Sequence, residues 1–197
     1  MLRSLVLLVL SAAVGRADTL GDLAAKALGD KRKPGIGLVV GVLRDGKSTV
    51  RGFGKVATPR PDQVPGHDAD GEPTDFRDFA ALESCGALRS TADDLLKYAA
   101  ANLGEADTPL KTSLADARTP RRDSSGSSRI GLFWVTMKLP KSEVEIVRHN
   151  GGTGGFRSML LVCPEHKFAV VVLCHAEFGK RIDRLAIDLA VSFLPAK

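Results

Sequence analysis

The chain lacks most of the features by which a sequence declares a partner. Its 197 residues include only three cysteines, Cys85, Cys163 and Cys174, too few for a disulfide framework. Cys163 and Cys174 flank a hairpin that turns near Glu165-His166, so the expectation is three free, buried thiols. The four histidines, His67, His149, His166 and His175, show none of the close spacings used by zinc sites, and no metal is implied. A net charge of +5, carried by scattered basic residues, argues against nucleic acid. The one basic cluster, Arg118 to Arg122, lies in a loop-like stretch and reads as a solvated turn. There is no apolar run of the ~20 residues that a membrane span requires. Repeats and low-complexity tracts are absent as well.

A cofactor motif is present only in letters. Gly41 to Ser48 matches the phosphate-binding pattern G-x-x-x-x-G-K-[ST]. That chemistry needs a helix whose first amides hold the phosphates. The residues after it, Thr49-Val50-Arg51-Gly52-Phe53-Gly54, are β-branched and glycine-rich and read as a returning strand. A nucleotide is therefore rejected, and no cofactor is expected.

What is there begins with a leader. Met1-Leu2-Arg3 is basic, Leu5 to Val14 is apolar, and Gly15-Arg16-Ala17 offers small residues for cleavage. Residues 1–17 are expected to be a signal peptide and 18–197 an exported single domain with a charge of about +3 and no remaining membrane anchor. Leu20, Leu23, Ala24, Ala27 and Leu28 form an amphipathic stripe. Ile36 to Leu43, a turn at Arg44-Asp45-Gly46-Lys47 and Ser48 to Phe53 read as a hairpin. Residues 55 to 80 are loop-like. Ser90-Thr91-Ala92-Asp93-Asp94 has the pattern of a helix start, with Ser90 explained by capping, and a helix runs from about 92 to 103. Ile130 to Val135 reads as a strand, and a final helix spans about 180 to 193. Sequential hairpins with terminal helices on one face give an α+β fold with an antiparallel sheet of about five strands.

The stretch around which the rest is organised is Arg148-His149-Asn150-Gly151-Gly152-Thr153-Gly154-Gly155-Phe156-Arg157-Ser158. Glycine is used where dihedrals are unusual or where something must approach the backbone closely. Composition alone allows a glycine-rich hairpin with an incidental histidine. Together with Pro164-Glu165-His166-Lys167 and the strand Phe168 to Leu173 beyond it, the motif resembles the third box of class C-type serine β-lactamases and the related DD-peptidases and esterases of the penicillin-binding-protein fold. Further pieces occur in the family's order: Pro34-Gly35-Ile36-Gly37 through Gly54, then Gly66-His67-Asp68-Ala69-Asp70-Gly71, then Gly86 to Asp94. The resemblance implies that His149-Asn150-Gly151, with Gly152 and Thr153, line a substrate-binding strand edge.

The family's chemistry also needs a Ser-x-x-Lys box, where serine attacks and lysine assists, and a Tyr-x-Asn box. No serine here has lysine three residues on, and the single tyrosine, Tyr98, lies within the 92–103 helix and reads as a packing residue. Only about ten residues, Lys55 to Val64, occupy the interval where the family carries an all-helical half with both boxes. The resemblance thus implies a sheet-domain remnant, internally deleted near 55–64 and inactive in acyl-enzyme hydrolysis of β-lactam or D-Ala-D-Ala-like substrates. One alternative is a binding module. It would hold a small acyl or β-lactam-like ligand weakly at the His149 loop, or a protein partner over a sheet face left exposed because the strand 168–174 is apolar on both sides. The other is a hydrolase with a reassigned nucleophile, for which Ser158 is the candidate.

Overall fold

The computed structural model describes residues 14–29, 36–54 and 64–195, with side chains described from residue 19 onward. The expected signal segment up to residue 13, and residues 55–63 of the expected deletion point near 55–64, lie outside the described residues. Helix α1 (Val14–Leu28) leads into a hairpin of β1 (Gly37–Arg44) and β2 (Lys47–Gly54). The pairs β3 (Gly66–His67) with β4 (Pro73–Thr74) and, later, β5 (Arg122–Asp123) with β6 (Arg129–Ile130) are short. Between them lie a 3-10 helix at Ala80–Cys85, α2 (Ala92–Leu103) and α3 (Lys111–Arg118). The chain closes with β7 (Val135–Lys138), β8 (Glu145–Thr153), β9 (Phe156–Cys163), β10 (Phe168–Cys174) and α4 (Arg181–Ser192).

The main sheet is antiparallel with order β2-β1-β10-β9-β8-β7-β6-β5, and β3-β4 form a separate ribbon. The sheet has eight strands rather than about five: β5 forms within a stretch read as a loop, and the stretch read as one strand, Ile130 to Val135, is broken between β6 and β7. Phe133 adopts a left-handed φ of 68°, and Gly131 N–H donates to the Trp134 carbonyl at 2.9 Å, turning the chain between β6 and β7. In the β1–β2 hairpin both turn residues, Asp45 and Gly46, have positive φ (51° and 69°), so the phosphate-loop letters fold as a strand turn.

Alternation along the central strands explains the layers. In β10, Phe168, Val170, Val172 and Cys174 face one side and pack with Ala24, Leu28, Ile182, Leu185 and Leu189 from α1 and α4. The expectation of terminal helices on one face is met. Ala169 and Val171 face the other side, where Leu96, Ala99 and Leu103 of α2 cover them. Close approach is possible because β1 carries Gly41, where any Cβ would stand 3.1 Å from the Leu96 side chain. Both residues are fully buried and Leu173 is half-buried, so β10 is not left bare as expected. Burial at about 25 cal/mol per Å² makes such side chains the main source of stability.

Two local expectations change. Thr91, not Ser90, caps α2: its Oγ1 accepts from Asp94 N–H at 3.1 Å, while Ser90 donates weakly to a neighbouring carbonyl. Cys163 and Cys174 are buried and free as expected, but Cys85 is exposed, because the 3-10 turn that holds it buries no residue.

Candidate functional site

Strand β8 changes character halfway. Its first four residues pair with β7, from Glu145↔Lys138 to Arg148↔Val135, and from His149 onward only β9 remains beside it. His149 to Thr153 therefore present an unpaired strand edge, a template for another extended chain. Val147 lies on the α2 side and Ile146 on the α4 side, so the two-residue period sets the rest. His149, Gly151 and Thr153 share the side of Val147, whereas Asn150 faces α4.

The contacts agree with that division. Asn150 Nδ2 donates to Asp183 Oδ2 at 2.8 Å, fastening the strand to the first turn of α4. Gly151 stands opposite Ser158, whose Oγ lies 2.8 Å from where a Gly151 Cβ would be. Gly152 stands opposite Arg157, which pairs with Glu177. The His149 side chain is exposed and makes no hydrogen bond among the described residues. The sheet thus brings His149, Gly151, Thr153 and Ser158 to one face and puts Asn150 on the other. His149 and Ser158 are diagonal cross-strand neighbours, and no hydrogen bond joins their side chains among the described residues. The Thr153 hydroxyl oxygen is buried without a partner.

The glycine turn is shaped by the chain itself. Gly154 and Gly155 have φ of 50° and 77°, the two positive values a tight hairpin turn demands. Against them rests the β3–β4 ribbon. Thr74 Oγ1 donates to the Gly154 carbonyl at 2.8 Å, and His67 N–H donates to the Gly155 carbonyl at 3.2 Å. A Cβ on Gly155 would collide with the His67 backbone nitrogen. Phe76 stacks on Phe156, centroids 5.6 Å apart, and Arg89 covers Phe76.

A histidine pair, His67 buried and His175 half-buried, unread in the sequence, anchors this ribbon. His67 Nδ1 donates to the His175 carbonyl at 3.0 Å, and His175 Nε2 accepts from Gly37 N–H at 2.9 Å. His175 is thereby fixed as a neutral imidazole, and burial, helped by the nearby His67, pushes its pKa below the usual histidine range. The two rings lie 108 residues apart in sequence, so no spacing signal could have joined them.

Other nucleophiles are poorly placed. Burial pushes the Cys174 thiol up to about 12 and raises Cys163 as well, so both stay protonated. Tyr98 is partly exposed and stacks on the buried Trp134 with centroids 6.4 Å apart, on the α2 layer. Among the described residues no group of three or more acidic, histidine or cysteine side chains could hold a metal ion. None of the described helices is long and apolar enough to cross a membrane.

No curated protein sequence matches the chain. Solved structures do match in fold. A class C β-lactamase superposes with a TM-score of 0.79 at 13% identity, covering 93% of this chain and 98% of that one. A D-alanine carboxypeptidase from Burkholderia cenocepacia gives 0.77 at 13% identity, covering 92% and 100%. A class C β-lactamase from Rhodobacter sphaeroides gives 0.64 at 12% identity, covering 90% and 100%. The Beta-lactamase family model matches residues 55–192, well over half of the sequence. This chain therefore belongs to the β-lactamase family.

Proposed function

We propose that this member of a serine-hydrolase family keeps the substrate-binding wall of the cleft and lacks its acyl-transfer chemistry. The observation that carries the reading is the state of Ser158, the serine beside the glycine turn. Its hydroxyl faces Gly151, and among the described residues neither a lysine nor a histidine hydrogen-bonds to it. Nucleophilic serine needs a base within hydrogen-bond reach, and losing members of such a unit typically costs 10⁴–10⁶ in rate. With no Ser-x-x-Lys and no Tyr-x-Asn in the sequence, the interval 55–64 being too short for a helical half, the protein is a remnant of a hydrolase.

What remains is a receptor. The unpaired edge from His149 to Thr153 offers backbone groups to an extended acyl amide, and His149 offers a donor to a carboxylate. A small acyl or β-lactam-like ligand would bind there weakly. Export, with cleavage after residue 17, belongs to the same reading.

The test is turnover of a chromogenic cephalosporin by the purified chain. The reading predicts none above a buffer blank, and turnover abolished by Ser158→Ala would replace it with the reassigned-nucleophile alternative. A second reading, docking of a protein partner, is favoured by exposed apolar side chains at Phe76, Leu82, Leu88, Leu132 and Phe133. A discrete heterocomplex on size exclusion would support it.

A further inference from the structure

The β3–β4 ribbon pairs over two residues on each strand and forms a sheet of its own, so its place depends on what it touches elsewhere. On one side it occupies two carbonyls of the glycine turn: Thr74 Oγ1 donates to Gly154, and His67 N–H donates to Gly155. Those glycines follow Thr153, so the ribbon takes up acceptors at the end of the His149–Thr153 edge. On the other side it is fastened to the end of β10. Glu177 N–H donates to the His67 carbonyl at 2.8 Å, and His67 Nδ1 donates to the His175 carbonyl at 3.0 Å.

His175 is where this fastening closes. Its Nδ1 lies 3.3 Å from His67 Nδ1, and its Nε2 accepts from Gly37 N–H at 2.9 Å. Nε2 accepts only while it carries no proton. A proton there sets a donor against a donor and leaves a half-buried cation beside the His67 ring. Contact with the Pro65 carbonyl favours the charged ring, but burial and then His67 oppose it and outweigh it.

The charged groups on the surrounding elements are engaged elsewhere. Asp68 accepts from the Asp70 and Glu72 amides within the ribbon's own turn. Arg157 of β9 pairs with Glu177, and Asp183 of α4 holds Asn150. The start of β1 offers only Gly37 and Leu38. No carboxylate is therefore at hand to compensate a charged His175. Of the elements that touch the ring, β1 is locked by ladders to β2 and β10 along its length, whereas the ribbon has no such ladder. The ribbon is the side that yields.

We propose that the β3–β4 ribbon is an acid-released strap: protonation of His175 unfastens it from the end of β10 and lifts it off the glycine turn, freeing the Gly154 and Gly155 carbonyls. What this does for a ligand rests on the reading of the His149 edge given above; the strap itself does not, and the test reads the strap alone.

The test is amide hydrogen exchange of the ¹⁵N-labelled full chain, followed by NMR as protection relative to the intrinsic rate at each pH. The His67 and Glu177 amides report the ribbon, Gly37 the start of β1 and Val171 the core. From pH 7.5 to 5, protection at His67 and Glu177 should fall about three- to tenfold, the weight of one hydrogen bond. Low urea separates a local lift from global unfolding: protection at Val171 should decline with urea while that of the ribbon amides stays flat. His175→Gln keeps an acceptor for Gly37 but takes up no proton, and should hold the ribbon's protection constant with pH. The proposal is overturned by unchanged protection at His67 and Glu177, by a fall confined to Gly37, or by ribbon amides that share the urea slope of Val171. A loss that persists in His175→Gln overturns it too. Should that variant fail to fold, the ring titration of His175 decides, because a midpoint of the loss away from it is equally fatal.

Discussion

From Glu145 to Arg148, β8 pairs with β7, joined by β9 from Val147 on, and Ile146 and Val147 are buried. From His149 to Thr153 it keeps only β9, and four of its five residues are exposed. The first half is held by packing on both faces of the sheet. The second is held by one ladder and by the β3–β4 ribbon docked on the glycine turn. One strand thus runs from core to open edge, and in its outer half Asn150 still ties the strand to α4 while the His149 side chain is exposed.

The comparison can be broken from its core side first. Leu161 is fully buried against the α1/α4 layer, and Leu161→Ala should cost about 2–5 kcal/mol in urea unfolding, the usual penalty for a cavity of that size. A loss under 1 kcal/mol would mean the sheet is not packed as described. At the rim, Gly155→Ala should cost about 1–3 kcal/mol, since alanine meets both the positive φ and the His67 backbone. Equal stability of the variant would show that the ribbon does not rest on the turn.

The pH dependence of the rim is smaller and has a definite sign. The folded state lowers the pKa of His175 from its ordinary 6.5, so the unfolded chain takes up the proton first as pH falls. The stabilisation is complete above about pH 6.5 and is lost progressively below it. Urea midpoints at pH 7.5 and 5 should differ, and the difference should shrink in His175→Gln. A slope unchanged by that substitution would refute the neutral pairing. Least of all, the exposed, unbonded His149 should tolerate alanine within about 0.5 kcal/mol. A larger loss would make it a structural residue and erase the contrast between the two halves.

The range of each interaction decides how much of the fold is legible in the sequence. Helix α2 and its acidic first turn, the stripe in α4, and the two-faced β10 are legible because periodicity and capping are local. Helix α3 is not, because it buries only Leu114 and so shows no stripe. The break at Phe133 is hidden by an apolar run whose middle, Leu132 and Phe133, faces solvent. The site is half legible. The glycine-rich turn and the absent serine–lysine box are visible as letters, and the period of two assigns His149 and Gly151 to one face. The docking of His67 and Thr74 on that turn arises from how distant segments meet across the sheet. Nothing in the sequence near those residues announces it.

The central claim is that the cleft wall survives without an attacking group. Intact-protein mass spectrometry after incubation with excess benzylpenicillin tests it most directly. The account predicts the unmodified mass at all times. An added penicilloyl group on the folded chain, absent in Ser158→Ala, would contradict it.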